Sequence, residues 1–341
     1  MSYPFSWSSW RRFYRGRCRL DGPRVLPEAA LRVALALFNK ATWALSTDAP
    51  LPENPVLIVG HQRSGTTFLH RMLASHPAAA ALPLHALALP ADAVQRPLAR
   101  LSRPGWLDRL QAKKLAHLDP LHRLRLHEPE EDEFLLWGLF RSPMNNHDRP
   151  WPDGAFPGID GDEVAMAFYA QAVARAVRRT GRRYVGKNPH FTHRIPALRA
   201  ALPGVRVVQL VRHPAEAIPS RLSLIRAIWR LTKPGFTDFD TGQIEAMLKS
   251  SIRCYLGGLG QADLEVAYTE LVADPVGVVR RIHEAFELEP VDPAFAETLT
   301  AGQRAGKTPH RYTLEAFGLT RERLADELAP IYERWGFQPE P

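Results

Sequence analysis

The sequence predicts an α/β fold, a parallel sheet flanked by helices on both faces, and three observations carry that expectation. VLIVG (56–60) is a short continuous apolar run between Pro55 and Gly60, the pattern of a strand buried on both sides. RYVGK (183–187) reads as a strand end, and VRVVQLVR (205–212) is the clearest strand in the chain. Helix-forming segments separate these runs, and strands alternating with helices build a parallel sheet.

The elements follow in chain order. WSSWRRFYRGRCRL (7–20) is basic and aromatic, suited either to weak contact with a membrane surface or acidic partner, or to a solvated arm packed by its own rings. In the next stretch, 29–45, Leu31, Leu35, Phe38 and Leu45 share one helical face, while Arg32, Asn39 and Lys40 interrupt the run. An amphipathic helix is predicted there rather than a membrane span. Together these form a helical N-terminal extension, 1–54. A helix from Thr66 to Ser75 follows the first strand, and 78–127 reads as short helices over the sheet. EPEEDEFLLWGLF (128–140) reads as a helix start with Pro129 in its first turn and solvated carboxylates at its positive end, rather than as a metal site. HRIPALRAALPG (193–204) and AEAIPSRLSLIRAIWRL (215–231) read as helices. LEVAYTEL (264–271) reads as another strand, and DPVGVVRRIHEAFEL (274–288) as a helix with Asp274 as N-cap and Pro275 first. No repeat, linker or clean boundary divides 55–337, so a single domain is expected, with 78–183 as a helical insertion roofing an acceptor pocket.

Between the first strand and its helix lies GHQRSGTT (60–67). The nucleotide-binding phosphate loop reads G-x-x-x-x-G-K-[ST]; here Gly60 and Gly65 keep the spacing, but Thr66 replaces the lysine. Arg63 supplies the cation instead. A glycine-bounded turn entering a helix presents backbone N–H groups to an anion, and the helix dipole adds attraction. Ser64, Thr66 and Thr67 add hydroxyls, and the guanidinium of Arg63 matches sulfate or phosphate oxygens.

RSGTTFLHRMLASHP (63–77) resembles the 5′-phosphosulfate loop of sulfotransferases that use 3′-phosphoadenosine-5′-phosphosulfate (PAPS), typically [KR]-S-G-[ST]-[ST]. VRHPAEAIPSRLSL (211–224) resembles the same family's 3′-phosphate motif, with Arg212 at a strand end and Ser220 eight residues on. The resemblance implies a P-loop NTPase-like fold and donor binding by Arg63, Ser64, Gly65, Thr66, Thr67, Arg212 and Ser220. Tyr268 matches an aromatic near the adenosine, and Arg304 and Lys307 fall in a C-terminal segment similar to that of bacterial members. No metal is required, because a sulfuryl group carries less charge than a phosphoryl group. The implied reaction is sulfuryl transfer from PAPS to a hydroxyl in the first place, or an amine in the second, giving adenosine 3′,5′-bisphosphate (PAP).

YVGKNPHF (184–191) is similar to the K-x-P segment of the tyrosylprotein and bacterial branches, which assigns Lys187 to the leaving side of the sulfate. Those branches place a glutamate about twenty residues after the loop arginine; here no glutamate lies between Glu53 and Glu128. His85 stands near that position. It is the first candidate for general base, His190 the second, and a carboxylate of Glu130, Glu131 or Glu133 the third. A metal-dependent kinase or NTPase, and a non-catalytic PAP-binding protein, are the alternative readings.

Composition sets the remaining bounds. The 341 residues carry a net charge of +8, which suits anionic ligands. The basic residues are scattered without an aromatic-interleaved motif, so nucleic acid is not expected as a partner. Two distant cysteines, Cys18 and Cys254, suggest neither a disulfide framework nor a zinc site, and the expected location is cytoplasmic. The acceptor is left open among sugars, lipids, phenols, other small molecules and peptides.

Overall fold

The structure is a computed structural model and describes residues 2–101, 109, 124–147, 163–233, 235–302 and 313–339. Five strands form one parallel sheet: β1 (Val56–Gly60), β2 (Ala79–Ala80), β3 (Arg183–Lys187), β4 (Arg206–Val211) and β5 (Leu264–Ala267), in the order β2-β3-β1-β4-β5. β1 is central and wholly buried. The pleat sends alternate residues to opposite faces, and both faces are covered. Leu57 and Val59 join a cluster with Phe168, Tyr169 and Leu198, while Val56 and Ile58 join one with Leu69, Leu73, Val279 and Ile282. A third core lies where Pro214–Thr232 meets the C-terminal helices Arg321–Glu327 and Ala329–Trp335.

Because every pairing is parallel, the carboxyl ends of β1, β3, β4 and β5 emerge at one edge. Ile58 lies opposite Lys187, Gly60 opposite Leu210, and Val211 opposite Ala267. That register places Gly60, Lys187, Arg212 and Tyr268 along the rim where ligands of such sheets bind. Gly60 has a φ of 133°, and a Cβ there would overlap the Leu210 carbonyl oxygen, so β1 can pass this close to β4 only with glycine.

Three local expectations are corrected. The helix expected from 128 covers only Glu133–Trp137. Residues 129–132 run along the rim instead: Pro129 bridges Pro83, Glu130 N–H donates to the Leu82 carbonyl, and Asp132 N–H donates to the Lys187 carbonyl. Backbone tied to the rim in this way cannot enter a helix, and Glu130, Asp132 and Glu133 are buried rather than solvated. The strand expected at 264–271 stops at Ala267, and Tyr268 opens the helix Tyr268–Ala273, which turns its ring toward the loop after β1. The third concerns the amphipathic helix, whose apolar face ordinarily turns to the core. The helix Leu26–Ala44 instead buries Ala29, Arg32, Ala36, Asn39 and Trp43 and exposes Leu31 and Phe38, with Leu45 just beyond it also exposed.

The N-terminal segment is tied into the fold rather than appended to it. Tyr3 and Trp43 belong to the largest core cluster. Arg32 donates to the Trp137 carbonyl and to Asn145, and its guanidinium lies over the Trp137 and Phe140 rings. Cys254 is a free, buried thiol. Among the described residues, no helix is long and apolar enough to cross a membrane.

Candidate functional site

The loop 60–67 holds its shape by contacts at both ends. Ser64 N–H donates to the His61 carbonyl, Arg63 takes a left-handed φ of 71°, and Gly65, at φ 90°, starts the helix Thr66–Ala74. No side chain caps that helix, so its first N–H groups face the rim with the positive end of the dipole. Gly65 is also where the Tyr268 ring comes close, and a Cβ there would lie 3.0 Å from it. Arg63, a residue rarely found at positive φ, is pinned from β4. Arg212 Nη1 donates to its carbonyl at 3.0 Å, and its own Nε donates to Ser220 Oγ at 3.1 Å.

Arg212 is itself oriented on three sides. Glu216 Oε2 accepts from Nε at 2.8 Å, the Tyr268 ring centroid lies 4.4 Å from the guanidinium, and Tyr255 donates to the Arg212 carbonyl at 2.8 Å. Behind the loop, His61 stacks on Tyr255 and meets Ser251 at 3.0 Å. Burial, with the nearby charge of Arg221, depresses the His61 pKa to about 3, so this ring is neutral packing at ordinary pH. Arg63, Gly65, Arg212, Ser220 and Tyr268 thus meet in one group, although up to 205 residues separate them in sequence.

A second, buried group starts at Thr67. Its hydroxyl accepts from Lys187 Nζ at 3.3 Å, and the same ammonium lies 3.1 Å from Glu131 and 3.7 Å from Glu130. Burial alone would depress the lysine, but the two carboxylates outweigh it and the pKa is raised, so Lys187 stays charged. Glu131 Oε1 is buried without a hydrogen bond among the described residues and lies 3.5 Å from His190 Nε2. That histidine is held on the rim by Asn188, whose side chain accepts from the His190 N–H at 3.0 Å and donates to Glu133 at 2.8 Å. Gln62 joins the groups, meeting His190 at 2.9 Å and accepting from Arg221 at 2.8 Å. Beneath them, burial pushes Asp132 and Glu133 up to about 7. Gly186 leaves room for the Asp132 carboxylate, which a Cβ at 186 would strike.

The geometry therefore offers an anion-facing loop, two arginines, an ammonium one hydroxyl away, and a carboxylate with a free acceptor oxygen. Those are the parts for moving an anionic group onto a nucleophile that must lose a proton. A sequence profile described as the sulfotransferase family matches residues 55–293. The chain belongs to the sulfotransferase family. It is 25% identical to the omega-hydroxy-beta-dihydromenaquinone-9 sulfotransferase Stf3 of Mycobacterium bovis and of Mycobacterium tuberculosis, over 90% of this chain and 82% of theirs. Among solved structures, it is similar to sulfotransferase STF1 of Mycobacterium tuberculosis at a TM-score of 0.72 and 21% identity, covering 94% of this chain and 90% of that one. STF9 of Mycobacterium avium gives 0.70 and 21%, over 99% of this chain and 88% of that one. These neighbours share the fold.

For a sulfotransferase read from sequence, the candidates divide. Arg63, Gly65, Arg212, Ser220 and Tyr268 gather at the loop, and Lys187, His190 and Glu131 gather behind Thr67. His85 lies on the helix Leu84–Ala88, its N–H bonded to the Leu126 carbonyl and its ring edge-on to His127 at 5.1 Å. Arg304 and Lys307 lie outside the described residues. Among those described, no group of three His, Cys, Asp or Glu is placed to hold a metal. Sequence reasoning missed Gln62, Asn188 and Arg221. Each neighbours a motif residue, but the contact that gives it a role spans 55 to 159 positions.

Proposed function

We propose that the chain transfers a sulfuryl group from PAPS to the hydroxyl of a lipid-like acceptor, releasing PAP. The observation that carries this reading is the hydroxyl bridge at Thr67, which joins the anion-facing loop to the Lys187–Glu131–His190 cluster. Loop N–H groups and hydroxyls of Ser64 to Thr67 would hold the 5′-phosphate. Arg63 and Ser220 would each exchange their mutual hydrogen bond for one to a phosphate oxygen, Arg212 and Ser220 serving the 3′-phosphate and Tyr268 flanking the adenosine. Gly65, which lacks a side chain, and the uncapped helix start fit a close phosphate approach.

The acceptor oxygen forms a bond to sulfur while the bond from sulfur to the bridging phosphate oxygen breaks. Lys187 and Arg63 stabilise the negative charge that develops on that oxygen. The hydroxyl proton goes to Glu131 Oε1, or through it to His190. No step needs a divalent ion. A lipid-like acceptor rests on the mycobacterial relatives, whose name describes a hydroxylated menaquinone substrate. The test is incubation with PAPS and long-chain or isoprenoid alcohols, followed by mass spectrometry. A product heavier by one SO3, with PAP formed in equal amount, is expected. PAPS turnover onto sugars or phenols alone would remove the lipid assignment, and no turnover with any acceptor would remove the enzymatic one.

A further inference from the structure

The helix Leu26–Ala44 is built inside out for a soluble surface. Its inward stripe carries Arg32 and Asn39, both buried and both held by specific partners. Arg32 Nη2 donates to the Trp137 carbonyl and to Asn145, with the guanidinium over the Phe13, Trp137 and Phe140 rings, and Asn39 Nδ2 donates to Tyr3 and the Ala88 carbonyl. Its outward stripe recurs at three- and four-residue spacing through Ala30, Leu31, Ala34, Leu37, Phe38 and Ala41, continued by Leu45. Leu31 is 71% exposed and Leu45 77%. Of the twelve large apolar side chains found exposed among the described residues, seven lie within the first 51 positions. A contiguous outward apolar face of this kind marks a surface that binds something.

We infer that this face lies on the surface of an anionic lipid bilayer, with Leu31, Phe38 and Leu45 entering the acyl boundary. Charge selects lipid. The stripe contains one ionised side chain, Lys40, and it is cationic; the acid on this helix, Glu28, is turned to Arg32. The adjoining helix Trp7–Asp21, whose Phe13 packs under Arg32, exposes Trp7, Arg11 and Arg15. An outward apolar face, with arginine and an exposed tryptophan on the adjoining helix, is the composition of segments that lie in the headgroup plane. This helix lies on the membrane rather than through it, since none in the described chain qualifies to cross. The inference does not depend on the acceptor: a membrane-bound sulfotransferase can act on any substrate reachable from that surface.

The experiment is sedimentation of the whole chain with phosphatidylcholine vesicles, with and without phosphatidylglycerol. Binding to the anionic vesicles, weakening as salt rises, is expected. The triple variant Leu31→Ser, Phe38→Ser, Leu45→Ser should lose binding about tenfold or more. Its melting temperature should not fall, because none of the three packs inward. Arg11→Glu with Arg15→Glu should weaken binding to anionic vesicles specifically. Wild-type protein left in the supernatant, or equal binding by the triple variant, would overturn the inference. So would a two-chain mass in light scattering that the triple variant reduces to one, without vesicle binding, since the face would then belong to a second copy.

Discussion

The site has two poles, and they are built on opposite principles. At the loop pole, Arg63 and Arg212 are partly solvated and are held by backbone, by a hydroxyl and by one exposed carboxylate. At the pole behind Thr67, Lys187 is 1% exposed and sits among Glu130, Glu131, His190, Asp132 and Glu133, each held by the fold. In the proposed reaction the first pole exchanges partners with an arriving anion, and its cations lie within reach of solvent. In the same reaction the second fixes a proton's destination, and its groups are dehydrated and balanced against one another. Changes at the buried pole should therefore damage stability as well as rate, and changes at the loop pole should damage donor binding, and at Arg63 turnover too, with little effect on stability.

The largest effect is expected from Glu131→Gln, which removes the free acceptor oxygen while keeping the shape. Turnover should fall by about 10²–10⁴ with PAP affinity retained, measured by steady-state kinetics and calorimetry. Activity within a few-fold of wild type would move the base elsewhere. Lys187→Met should reduce turnover by about 10²–10³. It should also destabilise the fold by about 3–5 kcal/mol, because Glu130 and Glu131 would be left buried without their cation. Denaturant melts check the second part, and an unchanged midpoint would contradict a balanced buried pole.

The pH dependence of stability sharpens the same contrast. Asp132 and Glu133, raised from 3.8 and 4.5 to about 7, add stability that is complete below the lower values and drains away as pH climbs to 7. His61 and His70, depressed by burial from 6.5 to about 3 and about 4, add stability that is complete above 6.5 and drains as pH falls. The melting temperature of Asp132→Asn relative to wild type should therefore rise between pH 4 and 7 and then level off. A flat difference would mean that Asp132 is ionised throughout. The smallest effect is expected from His85→Ala, whose ring packs on His127. Turnover should stay within about threefold, since only a proton-transferring group is worth orders of magnitude, and a loss of a hundredfold would restore it as the base.

The same division explains what was legible in the sequence. The loop pole is written in short motifs: a glycine-bounded turn after an apolar strand, and an arginine with a serine eight residues on. Strand–helix alternation places β1 and β4 within a residue or so, because a strand covered on both faces is mostly apolar, whereas RYVGK, with its charged ends, reads only as a strand end. The buried pole was less legible because it is made by register. Lys187 meets Glu131 only after β3 pairs with β1 and residues 129–132 tie to the rim, and no local pattern encodes a contact 56 positions apart. The acidic run there mimics a helix start, and only its hydrogen bonds to the Leu82 and Lys187 carbonyls override that propensity. β2 consists of two alanines and carries no strand signal at all. The helix 26–44 misled for a different reason. Periodicity finds an apolar face but not which way it points, and here buried Arg32 and Asn39 have partners good enough to hold the polar side inward.

The loop pole is tested most directly by calorimetry with PAP. The two-anchor site should bind it in the micromolar range, unaffected by magnesium. Arg212→Ala should weaken binding by about 10–100-fold, the worth of one or two charge-assisted hydrogen bonds, without lowering the melting temperature. No binding by the wild type, or displacement of PAP by ATP with magnesium, would contradict the account.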